Sequence, residues 1–183
     1  MNISISNALI FNVLILFISN QAYSANFIKT NGKNFEIGIG GYAVVIDNGQ
    51  DRNEFGGNSL SAAFVFNDFV AIRGQYYSVE HDKREYFDLT GFDVNAYFGK
   101  GLQSRGFKVY SGLGFYKETL EYNNITENIT GAQISGVIGY NWSQVSLDLS
   151  ISLRTVGDYA DYFDSNKDGV TAASSSLSIA YRF

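Results

Sequence analysis

The residues best equipped for chemistry are few. Residues 157–169 read GDYADYFDSNKDG, and Asp164, Asn166, Asp168 and Gly169 match the opening of a calcium loop, D-x-[DN]-x-[DN]-G. The twelfth position of that loop is Ser175 rather than a bidentate Glu, which excludes a full EF-hand. A divalent-cation site at Asp164, Asn166 and Asp168 competes there with a plain solvated turn. The one histidine, His81, stands between Glu80 and Asp82, three residues after Ser78, and is the one residue placed for acid–base work. The chain has no Cys, so thiol nucleophiles, thiolate metal sites and disulfides are excluded together.

Seven charges stand out by the company they keep. Glu36, Arg73, Asp93, Lys108, Asp148, Arg154 and Arg182 each interrupt a run in which apolar residues recur at every second position. Three acids against four bases nearly balance. Buried together they read as an ion-paired, hydrogen-bonded plug, because unpaired burial would be prohibitive. The alternative is a selective ion path, although selective pores usually carry rings of one sign. Arg73 and Asp93 are expected at similar height on neighbouring strands, and Glu36 and Arg182 on neighbouring strands of a closed sheet.

The elements that hold these charges show a period of two almost without break. Phe35, Ile37 and Ile39 alternate with Glu36, Gly38 and Gly40; Leu60, Ala62, Phe64 and Phe66 follow with Ser59, Ser61, Ala63 and Val65 between them. Further alternating runs cover residues 70–77, 92–98, 107–115, 132–140, 145–154 and 176–183. The parity before Gly91 is out of step, which predicts a bulge. Eight strands with no helical period between them predict an all-β, antiparallel up-and-down meander. Short turns (67–68, 99–106, 141–144) alternate strictly with mostly longer polar loops (47–57, 80–85, 117–128, 155–170), as in transmembrane β-barrels.

Alternation alone leaves open which face is outside, and a soluble barrel would put the apolar set within. Aromatic placement decides. Phe35, Phe66, Phe69, Phe98, Phe107, Tyr140, Trp142 and Phe183 gather at the short-turn ends, as in the interfacial girdle of a membrane barrel. The opposite parity is small or charged. An Arg or Lys facing lipid near the midplane costs ~2–4 kcal/mol, so the charges must point into a narrow lumen lined by Gly, Ser and Ala. The reading is an eight-stranded transmembrane β-barrel over residues 25–183.

Residues 8–19 (ALIFNVLILFIS) have the length of a signal-peptide apolar region, and the small residues Ala22 and Ser24 place cleavage after Ser24. Residues 1–24 contain no Lys or Arg, a departure from the usual signal. The expected organisation is a signal peptide at 1–24 and the barrel at 25–183. A net charge of −5 leaves no basic footprint for nucleic acid. Asn124 and Asn128 begin N-x-T sequons, read as chance matches in an exported bacterial protein.

The final strand, LSIAYRF, carries Leu177, Ile179, Tyr181 and Phe183 on one parity. It resembles the C-terminal assembly signal of Gram-negative outer-membrane barrels, in particular the OmpX/Ail group and the OmpA transmembrane domain. That resemblance implies recognition by the barrel-assembly machinery, residence among outer-membrane lipid and lipopolysaccharide, and a monomer. It implies a non-enzymatic protein without cofactor, whose surface loops contact an extracellular ligand or host surface or stabilise the envelope. The alternative is a narrow porin-like channel for ions or small solutes. A third reading is a lipid A-modifying enzyme centred on His81; related barrels of that kind use a His with a nearby Ser, but at a spacing unlike Ser78–His81.

Overall fold

The computed structural model describes residues 33–49, 51–84, 86–123, 125–162 and 169–183. The strands are β1 (Phe35–Asp47), β2 (Arg52–Val65), β3 (Val70–His81), β4 (Phe87–Lys100), β5 (Gly106–Tyr122), β6 (Ile125–Asn141), β7 (Val145–Arg154) and β8 (Thr171–Arg182). One short helix, α1 (Gly157–Tyr162), separates β7 from β8. Each strand pairs antiparallel with its sequence neighbours, and β1 pairs with β8, from Glu36↔Arg182 to Asp47↔Thr171, to close the barrel. Closure leaves no sheet edge along β1 and β8, so the last strand is fully paired up to Arg182.

Lateral position follows parity. Phe35, Ile37, Ile39, Leu60, Ile72, Val94, Leu113, Ile138, Leu149, Leu177 and Ile179 face outward and are exposed. Glu36, Arg73, Asp93, Lys108, Asp148, Arg154 and Arg182 face inward and are buried. From Phe107 to Phe115 strand β5 advances about 27 Å at ~3.4 Å per residue, roughly 20 Å along the axis at a tilt of about 40°. That matches the apolar band of a transmembrane barrel, which is ~25 Å tall.

Three sequence expectations need correction at the loop end. Strand β2 already begins at Arg52, and β5 and β6 run to Tyr122 and from Ile125, so most of the loop expected over 117–128 is paired strand. No bulge interrupts β4: its pairing with β5 is continuous from Phe87↔Tyr122 to Lys100↔Val109. The common cause is an inversion of polarity. Above the belt the outward positions turn polar (Glu80, Asp88, Thr90, Thr119, Glu121) while the inward ones turn apolar. Val44, Ile46, Phe55, Val79, Phe87, Leu89, Leu120 and Ile129 form a buried core there with Tyr159 and Ala160 of α1. The parity never slips; only the chemistry of the two faces is exchanged.

The short-turn end is closed by its own turn. Residues 101–105 fold under the barrel, with Leu102 buried against Val65, Ala71, Tyr97, Tyr110 and Val137. Asp68 accepts from the amides of Gly101, Gln103 and Ser104, and Asn141 Nδ2 donates to the carbonyls of Gly101, Leu102 and Ser104 at 2.9–3.1 Å. Gly101 has φ +84°, and a Cβ there would lie 2.6 Å from the Phe107 carbonyl, so the turn requires glycine.

At the other end β6 outruns β7, whose pairing stops at Gln133↔Arg154. The segment leading into α1 covers that exposed edge. Thr155 exchanges backbone and hydroxyl hydrogen bonds with Ala132, and Asp158 accepts from Thr130 N and Oγ1. This covering carries Tyr159 over the mouth and into the barrel.

Candidate functional site: two charged tiers inside the barrel

The lower tier is built by inward residues of every second strand, one each from β1, β3 and β7 and two from β5, and closed by β8. Asp148 of β7 is its hub. Arg73 Nη2 donates to Asp148 Oδ2 at 2.6 Å, Lys108 Nζ does so at 3.1 Å, and Tyr110 OH at 2.9 Å. Glu36 of β1 accepts from Arg182 Nε at 3.1 Å and lies 3.8 and 3.9 Å from Arg73 and Lys108. Arg182, fully buried, also donates to the carbonyls of Trp142, Leu102 and Gln103 and so ties the tier to the turn beneath it. A Cβ on Gly139 would collide with Asp148, and this small residue is what admits the hub carboxylate.

The upper tier centres on Arg154. Its guanidinium pairs with Glu118, donates to Tyr42 OH at 2.8 Å and Tyr77 OH at 3.0 Å, and lies 4.5 Å from the centre of the Tyr116 ring. Tyr77 and Tyr159 both donate to Glu118, and Tyr159 also meets Arg154 at 3.3 Å. The ring of Tyr42 stacks on that of Tyr77 at 4.1 Å. Asp93 hangs below, accepting from Tyr42 OH at 3.1 Å and Asn95 Nδ2 at 2.8 Å.

Glu36 and Arg182, expected on neighbouring strands, meet, whereas Arg73 and Asp93, expected at similar height, bond to other partners. Arg73 is registered against Asn95 and reaches down to Asp148, while Asp93 is registered against Gln75 and reaches up to Tyr42. Arg73 and Asp93 thus take partners across the narrow lumen rather than each other. Glu118, within the polar loop expected over 117–128, is instead fully buried and ion-paired. It shares the inward parity of Lys108, Tyr110 and Tyr116, so carrying the alternation past Phe115 would have found it. The tyrosines carry no such signal, because a Tyr suits either face.

Ser78 and His81 are three apart in one strand and therefore face opposite ways. Ser78 is outward and exposed, whereas the His81 ring lies between Phe55 and Phe87 at 5.1 and 5.2 Å. His81 Nδ1 accepts from the amides of Lys83 and Arg84 at 3.0 and 3.1 Å. Burial, then the charge of Arg84, pushes its pKa below the usual 6.5. It is a turn-forming side chain, and Ser78 does not face it. Asp164, Asn166 and Asp168 lie outside the described residues, and so do residues 1–32 and Asn124. Among the described residues no group of three His, Cys, Asp or Glu is arranged to hold a metal ion. Each charge named in the two tiers is ion-paired or hydrogen-bonded to another inward side chain, an arrangement suited to filling and bracing the lumen.

No protein-family model matches the sequence, and no curated protein is similar to it. Solved structures do resemble it. Ail, the attachment invasion locus protein of Yersinia pestis, is 17% identical, with 83% of this chain and all of that one covered at a TM-score of 0.53. Neisserial surface protein A is 16% identical over 81% of this chain and 97% of its own, at a TM-score of 0.59. The outer membrane protein OprG of Pseudomonas aeruginosa is 13% identical over 85% and 99%, at 0.54. At such identities the likeness is one of fold, and with a closed eight-stranded sheet, an apolar outer belt and a charged interior, this chain folds as a small outer-membrane-type β-barrel.

Proposed function

We propose that the protein is a non-enzymatic integral barrel of the Gram-negative outer membrane, exported by a signal peptide at 1–24, whose work is done by its loop end. That work is contact with an extracellular ligand or host surface, or stabilisation of the envelope. The observation that supports it is the filling of the lumen. Two tiers of paired charges, an apolar core above them and a folded turn beneath leave the interior committed to holding the barrel together. Function then falls to the surfaces that remain.

The loop end of this chain is acidic, with Asp47, Asp51, Glu54, Glu80, Asp82, Asp88, Glu121, Glu127, Asp158 and Asp161 near it. Ail has been solved in complex with the heparin analogue sucrose octasulfate. A crown of this charge favours cationic or divalent-bridged partners over such polyanions. Exposed Tyr86, held at φ 60°, and exposed Ile125 supply apolar contact beside it.

The test is single-channel conductance of the refolded 25–183 chain in a planar bilayer, with insertion verified by protection from protease. Silence is expected. Steady conductance would hand the lead to the channel reading and make the two tiers the lining of a water path.

A further inference from the structure

Among the described residues, Tyr42 and Tyr77 make the closest ring contact, with centroids 4.1 Å apart and planes 10° from parallel. Aromatic pairs usually settle at ~4.5–7 Å, offset or edge-on. This pair is held closer by what lies at its two ends. Arg154 Nη2 donates to Tyr42 OH at 2.8 Å and to Tyr77 OH at 3.0 Å, so one nitrogen aligns both phenols. At the strand end Gly57 of β2 stands opposite Tyr42, and a Cβ there would collide with the β3 backbone at Ser78. With no side chain at that position, rings from β1 and β3 meet across the strand between them.

Each phenol also has its own proton acceptor. Tyr42 OH donates to Asp93 Oδ2 at 3.1 Å, and Tyr77 OH to Glu118 Oε1 at 2.7 Å. A phenol hydrogen-bonded to a carboxylate can lose its electron and its proton together, which avoids stranding a buried phenol cation. The chain holds few rival electron donors. It has no Cys, its one Met is residue 1, and its one Trp, Trp142, lies at the short-turn end.

We propose that Tyr42 and Tyr77 are an oxidative cross-linking site, at which a one-electron oxidant joins the two phenols into a dityrosine that staples β1 to β3. Each ring gives one electron to an equivalent of oxidant and its phenolic proton to Asp93 or Glu118. The two phenoxyl radicals then form one bond between their Cε carbons. Each coupled carbon sheds its hydrogen, and a proton returns to each phenolic oxygen as the rings regain aromaticity. Two electrons and two protons leave for the one carbon–carbon bond made. The oxidant itself stays outside the lumen: Tyr76, next in the chain and exposed on the outer wall, is oxidised first and takes an electron from Tyr77. Two further lumenal pairs serve as internal controls. Tyr97 and Tyr110 meet edge-on at 5.0 Å and 82°, and Tyr116 and Tyr159 are near parallel but 6.0 Å apart.

The experiment is photo-oxidation of the refolded 25–183 chain in detergent micelles by a ruthenium tris-bipyridyl sensitiser with persulfate, followed by tryptic mapping. Peptides 34–52 and 74–83 should be recovered joined, lighter than their sum by two hydrogens, from a chain that still runs as a monomer. Fragmentation should place the bond on Tyr42 and Tyr77. The same chain unfolded in urea should scatter its links over many tyrosines. Tyr42→Phe should abolish the joined pair, and Tyr97→Phe should leave its yield unchanged. Oxidised surface tyrosines with the two peptides unjoined, a bond on Tyr76 instead of Tyr77, or equal coupling of Tyr97 with Tyr110 overturns the site. All three outcomes are read on the wild-type chain, so a variant that fails to fold does not obscure them.

Discussion

The lower and upper halves of this barrel use one backbone pattern with opposite chemistry. In the lower half Ile37, Leu149 and Ile179 face out while Glu36, Asp148 and Arg182 face in; in the upper half Glu80, Asp88 and Glu121 face out while Val79, Leu89 and Leu120 face in. The solvent outside explains the exchange. Hydrocarbon offers no hydrogen bonds, so the lower wall must be apolar and its lumen can hold paired charge. Water surrounds the upper wall, so there the ordinary hydrophobic effect fills the interior as in a soluble barrel. Arg154 and Glu118 sit at the seam, where an ion pair passes below an apolar core.

The strongest way to break this comparison is at the seam. Arg154→Met leaves Glu118 buried without its cation and should cost ~3–5 kcal/mol, read from urea unfolding in lipid vesicles. The double variant Arg154→Met with Glu118→Leu should recover much of that loss, since no charge is then stranded. Equal instability of both variants would mean that packing around the pair, and not the charge, sets the cost.

The next test moves charge on the outer wall. Leu113→Arg, at the middle of the belt, should destabilise the inserted barrel by ~2–4 kcal/mol, whereas the same residue in place of Thr119, above it, should cost about 0–1 kcal/mol. A reversed order would put the membrane at the wrong height. Folding yield into bilayers of increasing thickness would sharpen the boundary further.

The smallest effect is a titration confined to the loop end. His81 has a folded pKa below 6.5, so the unfolded chain binds its proton first as pH falls. The stabilisation from neutral His81 is therefore complete above about 6.5 and is lost as pH falls through the folded value. Its Nδ1 then ceases to accept from Lys83 and Arg84, and amide exchange at those two positions should quicken on acidification while exchange in β7 does not change.

Strand number, the outward and inward parities and the aromatic girdle were legible in the sequence, because they depend on a local period of two and on residue type. The loop-end strand limits were not, since the reading tied strand to an apolar outer face and Asp88 or Glu121 broke that pattern while the backbone continued. The apparent slip at Gly91 has the same origin. Glu118 fell within the expected 117–128 loop for this reason, although its parity pointed inward.

What the sequence determined by itself is therefore which residues face which way along each strand: a period of two leaves no other choice once one face is assigned to lipid. Only the closed sheet decided who meets whom. Barrel stagger places Asp148 of β7 against Arg73 of β3 and Lys108 of β5, and lets the β7–β8 connection drop Tyr159 onto Glu118. Those partners are far apart in the chain and lie on elements that do not pair in the sheet. Their distance is set by the tilt and diameter that eight strands adopt together.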